Sequence, residues 1–312
     1  MKLATFSRAG RQSIGVVDTG RGEILDLAAA HALESGGAPA PMLASMLDLI
    51  DAGEAGLEAA RRLAGRWPAA AAAPIASVRL LAPIPVPRQV RDCLTFELHL
   101  RNAIAQTEKR TGIKRQFPEI WYKQPIYYKA NRFSFVGHEA DVVWPRYSSY
   151  MDYELELACI LGRTGKDIAP DKAMEHIFGF TIFNDFSARD AQALEMTAQL
   201  GPAKGKDFDT GNVLGPWIVT LDEIGDPHDL AMEARVNGER WGGGSSSQMH
   251  HKWPAILAHI SASETLHAGE VIGSGTVGTG CGLELGRQLQ DGDVVELEIE
   301  RIGVLRNRVV RG

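Results

Sequence analysis

The sequence predicts an α+β protein, mostly β, with a small N-terminal β-rich domain over residues 1–80 and a larger β domain over 81–312. Three observations predict it. Short alternating or wholly apolar runs bounded by Gly, Asn and Pro dominate both ends of the chain, helical spacing of apolar residues is confined to a few short windows, and the strict βαβα alternation of a doubly wound sheet is missing.

The elements follow in order. Residues 2–6 and 13–17 read as strands, 19–22 as a turn, and 25–27 as a third strand. Met42, Leu43, Met46, Leu47, Leu49 and Ile50, then Leu57, Ala60 and Leu63, recur at helical spacing, so two helices interrupted near Gly53 are expected within 41–67. The alanine run of 69–74 and the prolines at 83, 85 and 87 read as an extended connection, which sets the boundary near residue 80. Beyond it, 153–161 alternates and then turns wholly apolar, 171–178 reads as a short helix stopped by Gly179, and 180–185 reads as a strand. Ser187 offers an N-cap, with Asp190 three residues on, for a helix over 188–199. Asn237-Gly238 between strand-like runs is a type I′ hairpin signal, and 293–300 and 304–310 form a final strand pair. The glycine-serine stretch 242–247 reads as a mobile loop on the rim of a site.

Composition bounds the function. The chain has 312 residues, 45% hydrophobic, enough for a core without disulfides. A net charge of -6 lacks the basic footprint of a general nucleic-acid binder, so a small-molecule partner is expected. Cys93, Cys159 and Cys281 are odd in number and form no CxxC pair, which fits a reducing cytoplasm. The first 15 residues hold no long apolar stretch and no run of about 18 apolar residues exists, so neither export nor a membrane partner is expected.

The segment DYELELACIL beginning at Asp152 carries the chemistry. On a strand Asp152, Glu154 and Glu156 share one face, where like charges repel unless the face is solvated or a cation sits there. Asp185, at a strand end just before the expected helix, adds a third oxygen donor to Glu154 and Glu156. Such a set suits Mg²⁺, Mn²⁺ or Ca²⁺ rather than zinc. Arg189 and Gln192, at i and i+3, fall on one helix face near that strand end. Tyr127 and Tyr128 read as strand core, with Tyr128 the ring set to line a substrate cleft. Other signals are set aside: the GxGxxG at Gly273 lacks a following βαβ unit, His250 and His251 are neighbours that point apart, and 110–115 is a basic run in a polar loop.

DYELELA from Asp152, NDFSARDAQ over 184–192, LGPAKGKDFDT over 200–210, GPWIV from Gly215, Ser274-Gly275-Thr276 and GDVVELEIERIGVLRN over 292–307 together resemble the fumarylacetoacetate hydrolase family. The resemblance implies a mixed β-sandwich roll around a carboxylate-bound Mg²⁺, Mn²⁺ or Ca²⁺, usually as a homodimer, cleaving a carbon-carbon bond in a β-diketo acid such as an acylpyruvate. It implies Glu154, Glu156 and Asp185 as metal ligands and Asp92 as a fourth, more distant one. It implies His99 as general base, seven residues after Asp92 in RDCLTFELH, with Glu284, or nearby Glu97, setting its tautomer. Arg189, Lys206, Gln192 and Thr276 match positions that contact substrate or meet its developing charge. Two other readings stand beside hydrolysis: a lyase or isomerase on the same scaffold (2-oxo acid decarboxylase, sugar-acid dehydratase, or 2-hydroxyhepta-2,4-diene-1,7-dioate isomerase type), and a metal-stabilised binding protein without turnover.

Overall fold

A computed structural model describes residues 1–112 and 114–312. Its largest sheet begins in the N-terminal part with Ala72–Pro74, Glu23–Asp26, Arg11–Asp18 and Lys2–Arg8 side by side. The same sheet continues through Asn212–Thr220, Ile177–Asp185, Leu155–Leu161, Val271–Gly273, Val90–Cys93 and Tyr127–Lys129. A second sheet runs Glu239–Ser245, Ala231–Val236, Val294–Ile299, Gly303–Arg311, Asp141–Trp144. The two sheets face one another across the larger core, where Leu155, Leu157, Phe180 and Ile182 meet Val295, Leu297, Ile299 and Leu305, giving the mixed β-sandwich expected from the resemblance.

The first 80 residues are joined to the rest by backbone pairing and by side chains. Lys2 and Leu3 pair with Val219 and Ile218. The helices Met46–Asp51 and Gly53–Arg66 send Leu49, Ile50, Ala60 and Leu63 into a core shared with Ala158, Ile160, Phe183 and Leu214. The central strands are therefore covered on both faces, and every residue of Leu155–Leu161 and Ile177–Asp185 is buried. This decides between the two readings of the acidic strand. Glu156 shares a face with Ala158 and Ile160, against the N-terminal core, and is not solvated.

Several local expectations are corrected. Residues 69–74 form a 3₁₀ turn and the strand Ala72–Pro74, which pairs with Glu23–Asp26 instead of running free. Residues 171–178 form a 3₁₀ helix, Pro170–His176, and Gly179 lies inside the next strand, where a Cβ would come within 2.3 Å of the Val219 carbonyl. Ser187 does not cap: its hydroxyl donates to the Asp185 carbonyl, and the helix Arg189–Glu195 is followed by the 3₁₀ turn Met196–Ala198. Residues 242–247 are not a loop. Most belong to the strand Glu239–Ser245, because Gly242 lies so close to the Thr279 carbonyl (2.0 Å from an added Cβ) that a side chain is excluded. Asn237 and Gly238 adopt φ of 52° and 79°, as the hairpin requires. Arg110 belongs to the unforeseen helix Glu97–Thr111 and lies over the Tyr150 ring; Ile113, inside the same basic run, is outside the described residues. Among the described residues no helix is long and apolar enough to cross a membrane.

Candidate active site

Two buried clusters lie side by side. The first holds Asp92, Glu156 and Asp185, whose ligand atoms lie within 4.8 Å of one another. Asp92 comes from Val90–Cys93, paired in parallel with Val271–Gly273. Glu156 and Asp185 come from the two central antiparallel strands. Glycine makes the convergence possible: a Cβ on Gly273 would stand 2.3 Å from Asp92 Oδ1 and 2.8 Å from Glu156 Oε2. The first glycine of the GxGxxG run thus makes room for carboxylates, while Gly275 makes room for the Cys93 backbone and Gly278 for the Leu98 side chain.

The donor set fits a hard divalent cation. Asp92 Oδ1 and Asp185 Oδ1 are buried with no hydrogen-bond partner, an arrangement that costs free energy unless a cation supplies the missing contact. Burial, with Asp185 and Glu154 nearby, pushes Asp92 up to about 7 against the pull of Lys206. Burial likewise pushes Asp185 up to about 6, and burial with Asp92 alongside holds Glu156 well above the ordinary range. Three oxygens that resist ionising together are what Mg²⁺, Mn²⁺ or Ca²⁺ relieves.

Glu154 is placed differently from the other three. Its carboxylate takes an ion pair from Lys206 and another from Arg189 at 2.8 Å. Burial alone would raise it, but those two cations, with His99 nearby, hold it at about 2. The structure thus gathers Asp92 with Glu156 and Asp185, whereas the resemblance makes Asp92 the distant ligand; Glu154 stands outside this triad, as the counter-ion of two buried cations. Lys206 also bonds Asp185 Oδ2 at 2.6 Å, and burial, which disfavours its charge, is outweighed by the two carboxylates. Tyr128 donates to the same Oδ2 at 2.5 Å, and Thr276 approaches Glu156 Oε1 at 3.4 Å. Both residues, expected on substrate, hold carboxylates here. A partner of this kind fixes ligand orientation, so Tyr128→Phe is expected to weaken Mn²⁺ binding about 10–100-fold, read by titration calorimetry, with the fold unchanged.

The second cluster is His99, Glu284 and Cys281. His99 lies in the first turn of Glu97–Thr111, and Glu284 in the short turn Gly282–Leu285. His99 Nδ1 meets Glu284 Oε1 at 2.7 Å, while Thr279 N and Asn102 Nδ2 each donate to Glu284 Oε2 at 2.8 Å. Those donors and His99 outweigh burial and hold Glu284 below its ordinary value. With Nδ1 so engaged, Nε2 is the ring nitrogen left for another partner. Glu97, the other partner considered, pairs with Arg101 and Tyr122 on the surface.

Asp152 links the clusters, a role the sequence reading did not assign. Fully buried, it accepts from Arg189 Nε at 2.9 Å and Nη2 at 2.7 Å. It also accepts from the backbone of Gly282 at 2.7 Å and Leu283 at 2.9 Å, the turn that carries Glu284. Arg189 in turn holds Gln192 Oε1 at 3.1 Å, so both lie on one face as their spacing predicts. Asp152→Ala is expected to cost on the order of 3 kcal/mol in a urea melt, because it leaves a buried guanidinium and the backbone donors of Tyr153, Gly282 and Leu283 under-satisfied. Asp152→Asn, which keeps an acceptor, is expected to cost less. Asn102 was likewise missed, although its i+3 spacing from His99 was available in the sequence. His250 and His251 build no metal pair: His251 Nε2 lies 2.7 Å from the Trp121 carbonyl and His250 packs on the Trp121 ring.

A β-sandwich holding a carboxylate triad beside a buried His–Glu pair defines the class: an enzyme scaffold built around a divalent metal. The fumarylacetoacetate hydrolase C-terminal family model matches residues 76–310, and the chain belongs to that family. It is similar to the human mitochondrial oxaloacetate tautomerase FAHD2A, 36% identical over 269 residues that cover 85% of this chain and 80% of the relative. Its fold is similar to a fumarylacetoacetate hydrolase from Exiguobacterium antarcticum (31% identity, TM-score 0.75, all of both chains covered). It is also similar to a maleylpyruvate hydrolase from Sphingobium sp. SYK-6 in complex with manganese(II) and pyruvate (26% identity, TM-score 0.75, all of both chains covered).

Proposed function

We propose that this chain is a divalent-metal-dependent keto–enol tautomerase of oxaloacetate or a closely similar 2-oxo diacid. The observation that carries the reading is the His99–Glu284 pair standing beside a carboxylate triad while both neighbouring cations, Arg189 and Lys206, are already closed on carboxylates. One working base next to a metal site is what moving a proton requires. Hydrolysis needs, in addition, water activated for attack and a donor for the departing carbon.

Asp92, Glu156 and Asp185 would hold the cation, whose contribution is Lewis acidity toward the paired oxygens of a 2-oxo acid. His99 Nε2 carries the proton to and from the carbon between the two carbonyl groups. Glu284, fixed by Thr279 and Asn102, keeps the ring in one tautomer and stabilises its charged form. Lys206 stays an ammonium throughout and, with Arg189, offsets the negative charge of Asp152 and Glu154 beside the site, which lowers the repulsion an anionic substrate meets there. The similarity to an oxaloacetate tautomerase supports this reading.

Hydrolysis of an acylpyruvate is the second reading. It is supported by the likeness to a maleylpyruvate hydrolase that binds manganese and pyruvate. The two separate in one experiment: loss of the enol absorbance of oxaloacetate and of an acylpyruvate panel, with coupled detection of released pyruvate, in Mg²⁺ or Mn²⁺ and again after chelation. Metal-dependent ketonisation of oxaloacetate with the acylpyruvates intact is the expected result. Pyruvate release from an acylpyruvate without any acceleration of oxaloacetate would replace the tautomerase reading by the hydrolase one.

A further inference from the structure

We infer that His99, Cys281 and Glu284 form a second metal site, selective for a thiophilic divalent cation such as Zn²⁺, whose occupation takes the imidazole out of service. The inference goes beyond the tautomerase reading and rests on it only for the consequence to turnover.

The donors come from the helix Glu97–Thr111 and from Cys281 with the short turn Gly282–Leu285 that follows it, which pack against each other. Cys281 Sγ lies 3.4 Å from Glu284 Oε1 and 4.0 Å from His99 Nδ1, and Nδ1 lies 2.7 Å from that same Oε1. All three side chains are buried. Glu284 Oε2 is tied to Thr279 and Asn102, which leaves Oε1 as the oxygen that turns toward the thiol and the ring. A tetrahedral zinc with bonds of about 2.0 to 2.3 Å separates nitrogen, oxygen and sulfur donors by about 3.4 to 3.6 Å. Reaching that geometry parts Nδ1 from Oε1 by about 0.7 Å and draws Sγ toward Nδ1 by about 0.4 Å, within the reach of side-chain rotation.

The chemistry of the two clusters differs. Asp92, Glu156 and Asp185 offer only hard oxygens, whereas this cluster offers one sulfur, one nitrogen and one oxygen, the combination that favours Zn²⁺ or Co²⁺ over Mg²⁺. Three protein donors leave a fourth position for water. Binding breaks the hydrogen bond between His99 and Glu284, moves the ring proton from Nδ1 to Nε2 and releases the Cys281 thiol proton to solvent, as metal bonds form to Nδ1, Oε1 and Sγ, so charge and atoms balance. The imidazole, bound through Nδ1 and protonated at Nε2, then has no nitrogen left to accept a proton.

The test uses the full chain saturated with Mg²⁺, then titrated with Co²⁺ as a spectroscopic probe. The expected result is a thiolate-to-cobalt band in the near ultraviolet that saturates at one equivalent and is absent from Cys281→Ser. X-ray absorption of the Zn²⁺-loaded wild type, which does not depend on how that variant folds, is measured as well, with one sulfur expected at about 2.3 Å from the metal. No cobalt band, a band that survives Cys281→Ser, or a zinc shell of nitrogen and oxygen alone would overturn the site. Neither readout uses substrate, so both hold or fail whatever the enzyme turns over. In the Mg²⁺-loaded enzyme, equimolar Zn²⁺ is then expected to abolish ketonisation, and retained turnover at full zinc occupancy would overturn the claim that occupation silences His99.

Discussion

Replacing His99 by alanine is expected to lower kcat for ketonisation by about 10²–10⁴-fold while KM changes little, because the ring acts on the proton in flight and not on the substrate's oxygens. Mg²⁺ binding should survive, since Asp92, Glu156 and Asp185 lie in a cluster of their own. Calorimetry with Mg²⁺ on the variant separates loss of the base from loss of the metal. Glu284→Gln supplies the second arm of the argument. Glu284 accepts from Thr279 N and Asn102 Nδ2 on one oxygen and from His99 Nδ1 and the Cys281 thiol on the other, and an amide keeps one acceptor oxygen where two are needed. It should therefore lose much of the rate even though its shape is nearly unchanged. A His99→Ala enzyme with wild-type kcat would remove the imidazole from the mechanism altogether.

What the sequence disclosed, and what it withheld, follows from the range of the interactions involved. The alternation of Asp152, Glu154 and Glu156 is a local pattern, although only Glu156 lies in Leu155–Leu161, while Asp152 ends the short strand Met151–Asp152 and Glu154 forms an isolated bridge to Cys281. The burial of all three is what made those charges informative. The hairpin at Asn237-Gly238 was legible for the same reason, since a two-residue turn carries its own φ requirement. Residues 242–247 misled because the glycines answer a neighbour far along the chain: Gly242 makes room for Thr279, and no local rule distinguishes that from a linker. The pairing of Lys2 with Val219, which joins the N-terminal strands to the main sheet, is equally non-local. Within the site, spacing and family likeness named Asp92, Glu154, Glu156 and Asp185 as ligands but could not divide them. Which three converge, and which one pairs with Lys206 and Arg189, depends on where those cations lie in space. Asp152 was visible as an acid on the strand, yet its bonds to Arg189 and the Gly282–Leu285 turn needed the fold.

Removing the metal is expected to reverse part of the protein's pH dependence of stability. In the metal-free fold burial holds Asp92 at about 7 and Asp185 at about 6, with Glu156 also raised, whereas in the unfolded chain such groups titrate near their ordinary values of about 4. A carboxyl whose folded value is raised stabilises fully below its unfolded value, and that contribution is lost as pH rises through the folded one. The chelated protein should therefore weaken between roughly pH 4 and 7. Glu154 runs the other way. Held at about 2, its contribution is present above the ordinary carboxylate range and is lost only as pH falls toward about 2, so it does not enter this window. A divalent cation favours the ionised triad and displaces its protons, so the gap in Tm between Mn²⁺-loaded and chelated protein should widen by several degrees or more from pH 5 to pH 8 in scanning calorimetry. Glu156→Gln sharpens the test, because it removes one raised carboxyl without emptying the space. The variant should bind Mn²⁺ poorly, show almost no metal-dependent gap, and yet melt higher than chelated wild type at pH 8. A gap that stays constant with pH, or a variant less stable than chelated wild type there, would mean that the triad is not where the cation and the protons compete.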